Sequence, residues 1–288
     1  MNLVLVYNPA SGSSLPASEL KKRFKNAGHT ILELIDVTKD LEGKLAPYLD
    51  DSSTVVAAFG GDGTLSSVAA VLVGTGVPFA PLPGGTLNHF TKDLGISQEL
   101  EDALIHLSLK SVRLIDVATV NDRVFINNSS IGLYPSTLKA RGELEHQKKY
   151  HKWIAAVIAN LKALIRYRLL TVDIKGEHYK TPFVFIGNND YHLDRDLIGN
   201  RENVNNHILS VYAIDSPYRL AALKILLLSL IGQAAQVPEL KVWKTKEITI
   251  YTKRHAVHIS RDGEREKVSS PLHYKVVRNG LKILGSSK

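Results

Sequence analysis

Val55 to Phe59 is an uninterrupted apolar run that passes straight into Gly60-Gly61-Asp62-Gly63-Thr64, after which Leu65 to Val73 reads as a helix. A strand with no polar face is one covered on both sides. A turn this rich in glycine joins strand to helix through a sharp backbone path closed to bulkier residues. The same alternation fills the first hundred residues. Leu3 to Tyr7 is a strand that ends in the loop Asn8-Pro9-Ala10-Ser11-Gly12. Pro16 then opens a helix with Leu20, Phe24 and Ala27 at helical spacing, and Gly28 stops it. Ile31 to Val37 predicts a second strand, Lys39 to Leu49 a second helix and Val77 to Ala80 a fourth strand. Strands spaced by helices in this way predict a parallel sheet with helices on both faces.

Beyond residue 112 strands dominate. Val112 to Val120 and Val124 to Asn128 flank a hairpin signal at Asn121-Asp122-Arg123, and Leu169 to Ile174 and Phe183 to Ile186 flank a turn at Gly176. Ile208 to Ile214, Lys246 to Tyr251, Val257 to Ser260 and Leu272 to Val277 continue the series, and Asn279-Gly280 reads as a two-residue hairpin turn. Helical segments at Tyr150 to Tyr167 and Tyr218 to Ala235 interrupt it. The fold class predicted is α/β: a Rossmann-like βα nucleotide-binding domain over residues 1–117, then a β-rich, sandwich-like domain over 118–281.

Composition narrows the function classes. The chain has 288 residues, and Lys plus Arg (36) less Asp plus Glu (28) leaves a net charge of +8. That balance suits a phosphate-bearing substrate, an anionic membrane surface or nucleic acid. Cysteine is absent, which removes disulfide scaffolds, cysteine–zinc sites and thiol nucleophiles. Met1 to Tyr7 has neither the basic start nor the cleavage site of a secretory leader. The apolar stretch Leu220 to Ala235 is interrupted by Lys224 and Gln233 and is shorter than the roughly 20 residues a membrane span needs. The expectation is a soluble, cytoplasmic protein.

Two loops carry the chemistry. In Gly60-Gly61-Asp62-Gly63-Thr64, three glycines leave backbone N–H groups open to a phosphate at a helix N-terminus. A carboxylate inside such a cradle repels phosphate unless a divalent cation lies between, so Asp62 points to a metal–nucleotide complex. The same residues also read as a tight turn with Asp62 capping a helix. Pro83-Gly84-Gly85-Thr86-Leu87-Asn88 follows the next strand, and two such loops at neighbouring strand ends converge where open α/β sheets bind ligands. Thr86 and Asn88 offer side-chain partners to a nucleotide, and Asp93 orders the region through hydrogen bonds or a metal-bound water. Neither loop is a Walker A sequence or a dinucleotide fingerprint.

These segments, with Asn8-Pro9-Ala10-Ser11-Gly12 and the continuation His89 to Ile96, resemble the catalytic core of the diacylglycerol kinase family, which includes bacterial lipid kinases and sphingosine kinases. Gly-Gly-Asp-Gly-Thr by itself is shared with NAD kinases; the three motifs in this order are specific. The resemblance is strong over residues 1–135 and patchier afterwards. It implies an ATP- and Mg²⁺-dependent lipid kinase with its site in the cleft between two domains. Asn8, Pro9, Gly60, Gly61, Asp62, Gly63, Thr64, Gly84, Gly85, Thr86 and Asn88 would bind the nucleotide, and Asp62 and Asp93 would serve its Mg²⁺ directly or through water. It also implies that Lys282 to Lys288 return to the first domain. Gly187-Asn188-Asn189-Asp190-Tyr191 resembles the family's Gly-Asn motif. Arg261-Asp262-Gly263-Glu264 resembles its Asp-Gly-Glu, which makes Asp262 the general base for the lipid hydroxyl, with Glu264 beside it. Without the family, Asp262-Gly263 is a polar turn between strands. Where several bacterial members carry an acidic Leu-Asp-Asp-Gly stretch holding a structural Mg²⁺, this chain has Val204-Asn205-Asn206-His207, whose amides lack the charge.

The basic stretch from Lys139 to Lys152 reads either as an ordinary helix start or as a surface for anionic lipid. The latter predicts peripheral contact with the inner face of a membrane. Nucleic acid has no motif in its favour. The alternatives to a lipid kinase are a NAD kinase-like enzyme and a non-catalytic nucleotide- or lipid-binding regulator on the same fold.

Overall fold

The computed structural model describes residues 1–10, 15–51, 53–108, 111–132, 169–191, 201, 203–216 and 238–285. The basic stretch 139–152, the helical segments 150–167 and 218–235, and Ser11-Gly12 lie outside the described residues.

The first part alternates as the sequence predicts: β1 (Asn2–Tyr7), α1 (Ala17–Asn26), β2 (Thr30–Asp36), α2 (Leu41–Leu45), β3 (Val55–Gly60), α3 (Asp62–Leu72), β4 (Pro78–Pro83). These strands lie parallel in the order β2-β1-β3-β4. Every residue of β3 and β4 is buried, which is why both read as unbroken apolar runs. α1 buries Leu20 and Phe24 and ends where Gly28 takes a φ of 79°. The predicted second helix is shorter than Lys39 to Leu49: α2 has five residues and passes into a 3₁₀ turn, Ala46–Tyr48. Pro47 has no N–H to continue an α-helical ladder. Two further helices, α4 (His89–Asp93) and α5 (Leu100–Ser108), complete this part.

Then come β5 (Val112–Val120), β6 (Arg123–Phe125), β7 (Asn128–Gly132), β8 (Leu170–Ile174), β9 (Glu177–Thr181), β10 (Phe183–Asn188), β11 (Leu209–Ile214), β12 (Leu240–Thr245), β13 (Glu247–Thr252), β14 (Ala256–Arg261), β15 (Glu264–Ser269) and β16 (Leu272–Leu284). The predicted strand Val124 to Asn128 is in fact two. β6 pairs with β5, while β7 enters a separate six-stranded antiparallel sheet, β12-β11-β10-β7-β14-β15. β9, between the two strands assigned to the Gly176 turn, is a charged edge strand that buries only Tyr179 and Thr181.

Asn279-Gly280 is not a hairpin turn. β16 runs through it, and both flanks keep pairing with β5: Val277 opposes Val117 and Leu281 opposes Ile115. The extra residues form a bulge in which Asn279 takes the left-handed φ of 50° and donates its N–H to Asp116 at 3.0 Å. The Asn-Gly pair thus supplies the backbone conformation of a turn to a kink in a long strand. Beyond the kink β16 runs parallel to β4, and before it antiparallel to β13, so one sheet extends from β2 to β9. Buried apolar residues form two clusters. One packs around the parallel strands and takes in Val117 and Leu281 to Leu284; the other lies between the two sheets and begins with Ala118 and Val120.

Candidate active site

The two glycine-rich loops touch through their backbones. Gly84 donates its N–H to the Gly60 carbonyl at 2.9 Å. A Cβ on Gly85 would stand 2.4 Å from Gly61 Cα, and one on Gly84 would stand 2.7 Å from Gly60 N. Only glycine permits that approach. Asn88, at a φ of 51°, accepts the Gly85 N–H at 2.9 Å and leaves Thr86 and Leu87 exposed at the loop tip. Thr64 is buried, and its hydroxyl accepts from Asn8 Nδ2 at 3.3 Å, which draws the loop after β1, with Pro9, to the same strand ends. All the residues assigned to nucleotide binding therefore surround one edge of the sheet.

Asp62 begins α3 without capping it; instead both of its oxygens accept from the start of α4, from His89 N–H at 3.1 Å and Phe90 N–H at 2.9 Å. The turn reading is corrected in its partner: Asp62 ties down the start of α4 and not its own helix, with one hydrogen bond accepted by each oxygen. A nucleotide-borne divalent cation needs one or two carboxylates besides the phosphates, so Asp62 fits that role. Among the described residues no group of three or more His, Cys, Asp or Glu side chains could hold a metal unaided.

Asp93 orders the region through a hydrogen bond, the first of the two ways its position allows. It is buried, and its Oδ2 is held at 2.7 Å by Nε of Arg201, a fully buried guanidinium. Arg201 also donates to the Ile126 carbonyl at 2.7 Å and to Asn127 Oδ1 at 2.9 Å, and it lies 5.3 Å from the centre of the Tyr191 ring. A carboxylate so engaged fastens the α4 segment to the strand ends of the second sheet. The Gly-Asn motif joins the same brace: Asn188 Nδ2 donates to the carbonyls of Asp116 and Ile126.

Asp262 and Gly263, with φ of 46° and 87°, form the two-residue turn between β14 and β15, so the turn reading is correct as far as it goes. Yet the Asp262 side chain is buried and crosses to α3. Its Oδ2 accepts from Ser66 Oγ at 2.5 Å and Ile126 N–H at 2.8 Å, and its Oδ1 from Asn127 N–H at 2.8 Å and Asn128 N–H at 3.1 Å. Burial pushes this carboxyl above the ordinary aspartate range, while the hydroxyl and the three amides pull the other way. The break between β6 and β7 has a function: it aims three successive amides at one carboxylate. Glu264 is exposed and lies against the first turn of α3, its Oε1 3.2 Å from where a Cβ on Gly63 would stand. Asp262, Glu264, Arg261, Ser66 and Ser67 line a cavity of about 440 Å³ whose other wall is Val37 and Asp40 to Glu42.

Sequence reading missed Ser66, Arg201 and Asp116. Ser66 stands four residues after Asp62, one helical turn on, which is the signal that would have found it. Nothing local marks Arg201. Asp116 is fully buried and accepts from His207 N–H at 2.7 Å and His207 Nδ1 at 2.9 Å, so the stretch aligned with the family's acidic segment closes on a carboxylate.

Residues 2–120 match the diacylglycerol kinase catalytic domain. The family resemblance of the motifs is thus shown over the glycine-rich half of the site. A protein of Synechocystis named "Uncharacterized protein sll0036" is 33% identical over 172 residues, covering 54% of this chain and 39% of the relative. "Probable lipid kinase YegS" of Escherichia coli is 28% identical over 188 residues, covering 61% of this chain and 60% of the relative. The chain spans less than two thirds of the length of either. A diacylglycerol kinase structure from Bacillus anthracis superposes with a TM-score of 0.66 at 18% identity, over 98% of this chain and 96% of that one, which shows the fold. Kinase-family likeness and the α/β-plus-antiparallel-sheet fold are established together.

Proposed function

We propose that the protein is an ATP-dependent lipid kinase that transfers the γ-phosphate to the hydroxyl of a diacylglycerol-like lipid. One observation carries the reading. Asp262, from the turn between β14 and β15, is hydrogen-bonded to the helix whose first turn is the glycine loop. A phosphate cradle and a proton acceptor therefore share α3. In this reading residues 1–117 hold the nucleotide and 118–281 present the acceptor; the second core cluster begins at Ala118, while Val124, Ile126, Val204 and Leu281 pack back into the first.

The amides of the Gly60–Thr64 and Gly84–Asn88 loops bind the phosphates, and Asn8 with Thr64 fixes the floor. Asp62 would hold a divalent cation borne by the nucleotide, which would supply charge neutralisation at the phosphoryl oxygens. Asp262 receives the proton of the acceptor hydroxyl, and Glu264, at the first turn of α3, orients the acceptor. Catalysis is then mostly positioning and charge neutralisation. The acceptor lies at a bilayer interface, and no helix among the described residues is long and apolar enough to cross one. Contact is peripheral in this reading, and the net charge of +8 favours an anionic, inner-leaflet surface.

The test is transfer of labelled γ-phosphate from ATP and Mg²⁺ to a panel of diacylglycerol, monoacylglycerol, sphingoid base and NAD, with products separated by chromatography. Label in a lipid is expected. Label in NAD alone favours the NAD kinase-like reading, and no label in any acceptor favours a non-catalytic regulator.

A further inference from the structure

An ionised carboxylate has about four lone-pair sites, and all four of Asp262 are filled: two by Ser66 Oγ and Ile126 N–H on Oδ2, two by Asn127 and Asn128 N–H on Oδ1. Three of these donors are backbone amides, those of Ile126 and Asn127 in the break between β6 and β7 and that of Asn128 at the start of β7. They cannot turn away without unpicking the break between β6 and β7. The fourth is a hydroxyl on a rotatable bond, and it is the only donor of the set that can both give a proton and receive one. No described residue donates to Ser66 Oγ, so its lone pairs are free, and Ser66 lines the same cavity of about 440 Å³ as Asp262 and Glu264. At 1.5 Å of rise per residue, Ser66 is about 6 Å along α3 from Asp62, within the reach of a γ-phosphate held at that helix end.

We propose that Ser66 is the residue that touches the acceptor hydroxyl, and that Asp262 acts through it. This rests on the lipid kinase reading. In a single concerted step the acceptor O–H proton passes to Ser66 Oγ while the Ser66 hydroxyl proton passes to Asp262 Oδ2. The acceptor oxygen forms its bond to the γ-phosphorus, the bond from that phosphorus to the β–γ bridging oxygen breaks, and ADP leaves with its electron pair. No other reactant is needed. After transfer the proton on Asp262 returns to solvent through the cavity, and the serine is regenerated.

The experiment measures kcat and the KM for ATP with dioleoylglycerol in mixed micelles, on the full chain and five variants, Asp262→Asn alone among them, with thermal unfolding to check the fold. Ser66→Ala removes the relay and should lower kcat about 10²-fold or more at unchanged KM, the range for loss of acid–base catalysis. Ser66→Asn keeps an N–H donor on Asp262 but has no hydroxyl proton to pass; it should be folded and equally slow. Ser66→Thr keeps the hydroxyl and should stay within about fivefold of the parent. Combining Ser66→Ala with Asp262→Asn should cost little more than the worse single change, because residues that act as one unit are not additive. A Ser66→Asn variant with near-parent kcat, or losses that multiply in the double variant, overturns the relay. Parent protein that labels no lipid in the panel overturns the lipid kinase reading instead, and the relay falls with it.

Discussion

Asp262 occupies a backbone position that most side chains avoid, and three amides and a serine hydroxyl converge on it. Such convergence is costly to assemble for a turn residue alone, since Asn or Gly would close the same turn. Because burial raises this carboxyl above its ordinary 3.8, the native state holds a proton over a window that starts at 3.8, where the unfolded chain has already released it. Stability contributed by this group therefore falls as pH rises through that window. Activity runs the opposite way, because the base works only when ionised. The acid limb of the pH–kcat profile should lie above 3.8, and Asp262→Asn should abolish that limb while lowering kcat by about 10²–10⁴-fold at unchanged ATP affinity. A limb that persists in Asp262→Asn would assign it to another group.

The elements that build the site are short and held by their neighbours. α4 has five residues, too few to be stable alone, and owes its start to the Asp62 carboxylate from the adjoining loop. The glycine loops depend on each other in the same way. Gly85→Ala would place a methyl group 2.4 Å from Gly61 Cα, backbone against backbone, with no flexible side chain to yield. We expect at least a tenfold loss of affinity for ATP with little change in the far-UV circular dichroism, since the strands on either side remain intact. Titration with a fluorescent ATP analogue checks this; affinity equal to the parent's would mean that the loops need not touch to bind nucleotide.

Across the whole molecule β16, paired with β4 and β5, carries one sheet from the parallel strands into the antiparallel ones, and beside the site the Arg201–Asp93 pair ties α4 to the strand ends of the second sheet. A buried ion pair is weak evidence of net stabilisation, but breaking one leaves an uncompensated buried charge, at a cost of about 3–5 kcal/mol. Asp93→Asn should therefore lower the unfolding free energy by about that amount in a urea titration. Replacing both Asp93 and Arg201 with leucine should recover part of it, because no charge is then stranded. A loss for Asp93→Asn below about 1 kcal/mol would show that Arg201 finds sufficient partners in the Ile126 carbonyl and Asn127.

What the sequence determined by itself is local. Apolar runs on helical or alternating period, and glycines where backbones must turn, disclosed β1 to β4 with α1 and α3 and the loops at their ends. Each of those signals is written within one element and its neighbour. The tertiary structure decided what no window of sequence contains. Asn279-Gly280 has the same local preference in a hairpin as in a bulge, and the pairing of both flanks with β5 chose the bulge. Asp62 and Asp93 look alike as acidic residues near a phosphate loop, yet Asp62 accepts from two amides of α4 and Asp93 from a distant arginine, Arg201. Asp262 reads as a turn until α3, 196 residues away, brings Ser66 to it. A carboxylate's chemistry is set by the donors around it, and those donors are assembled by long-range packing.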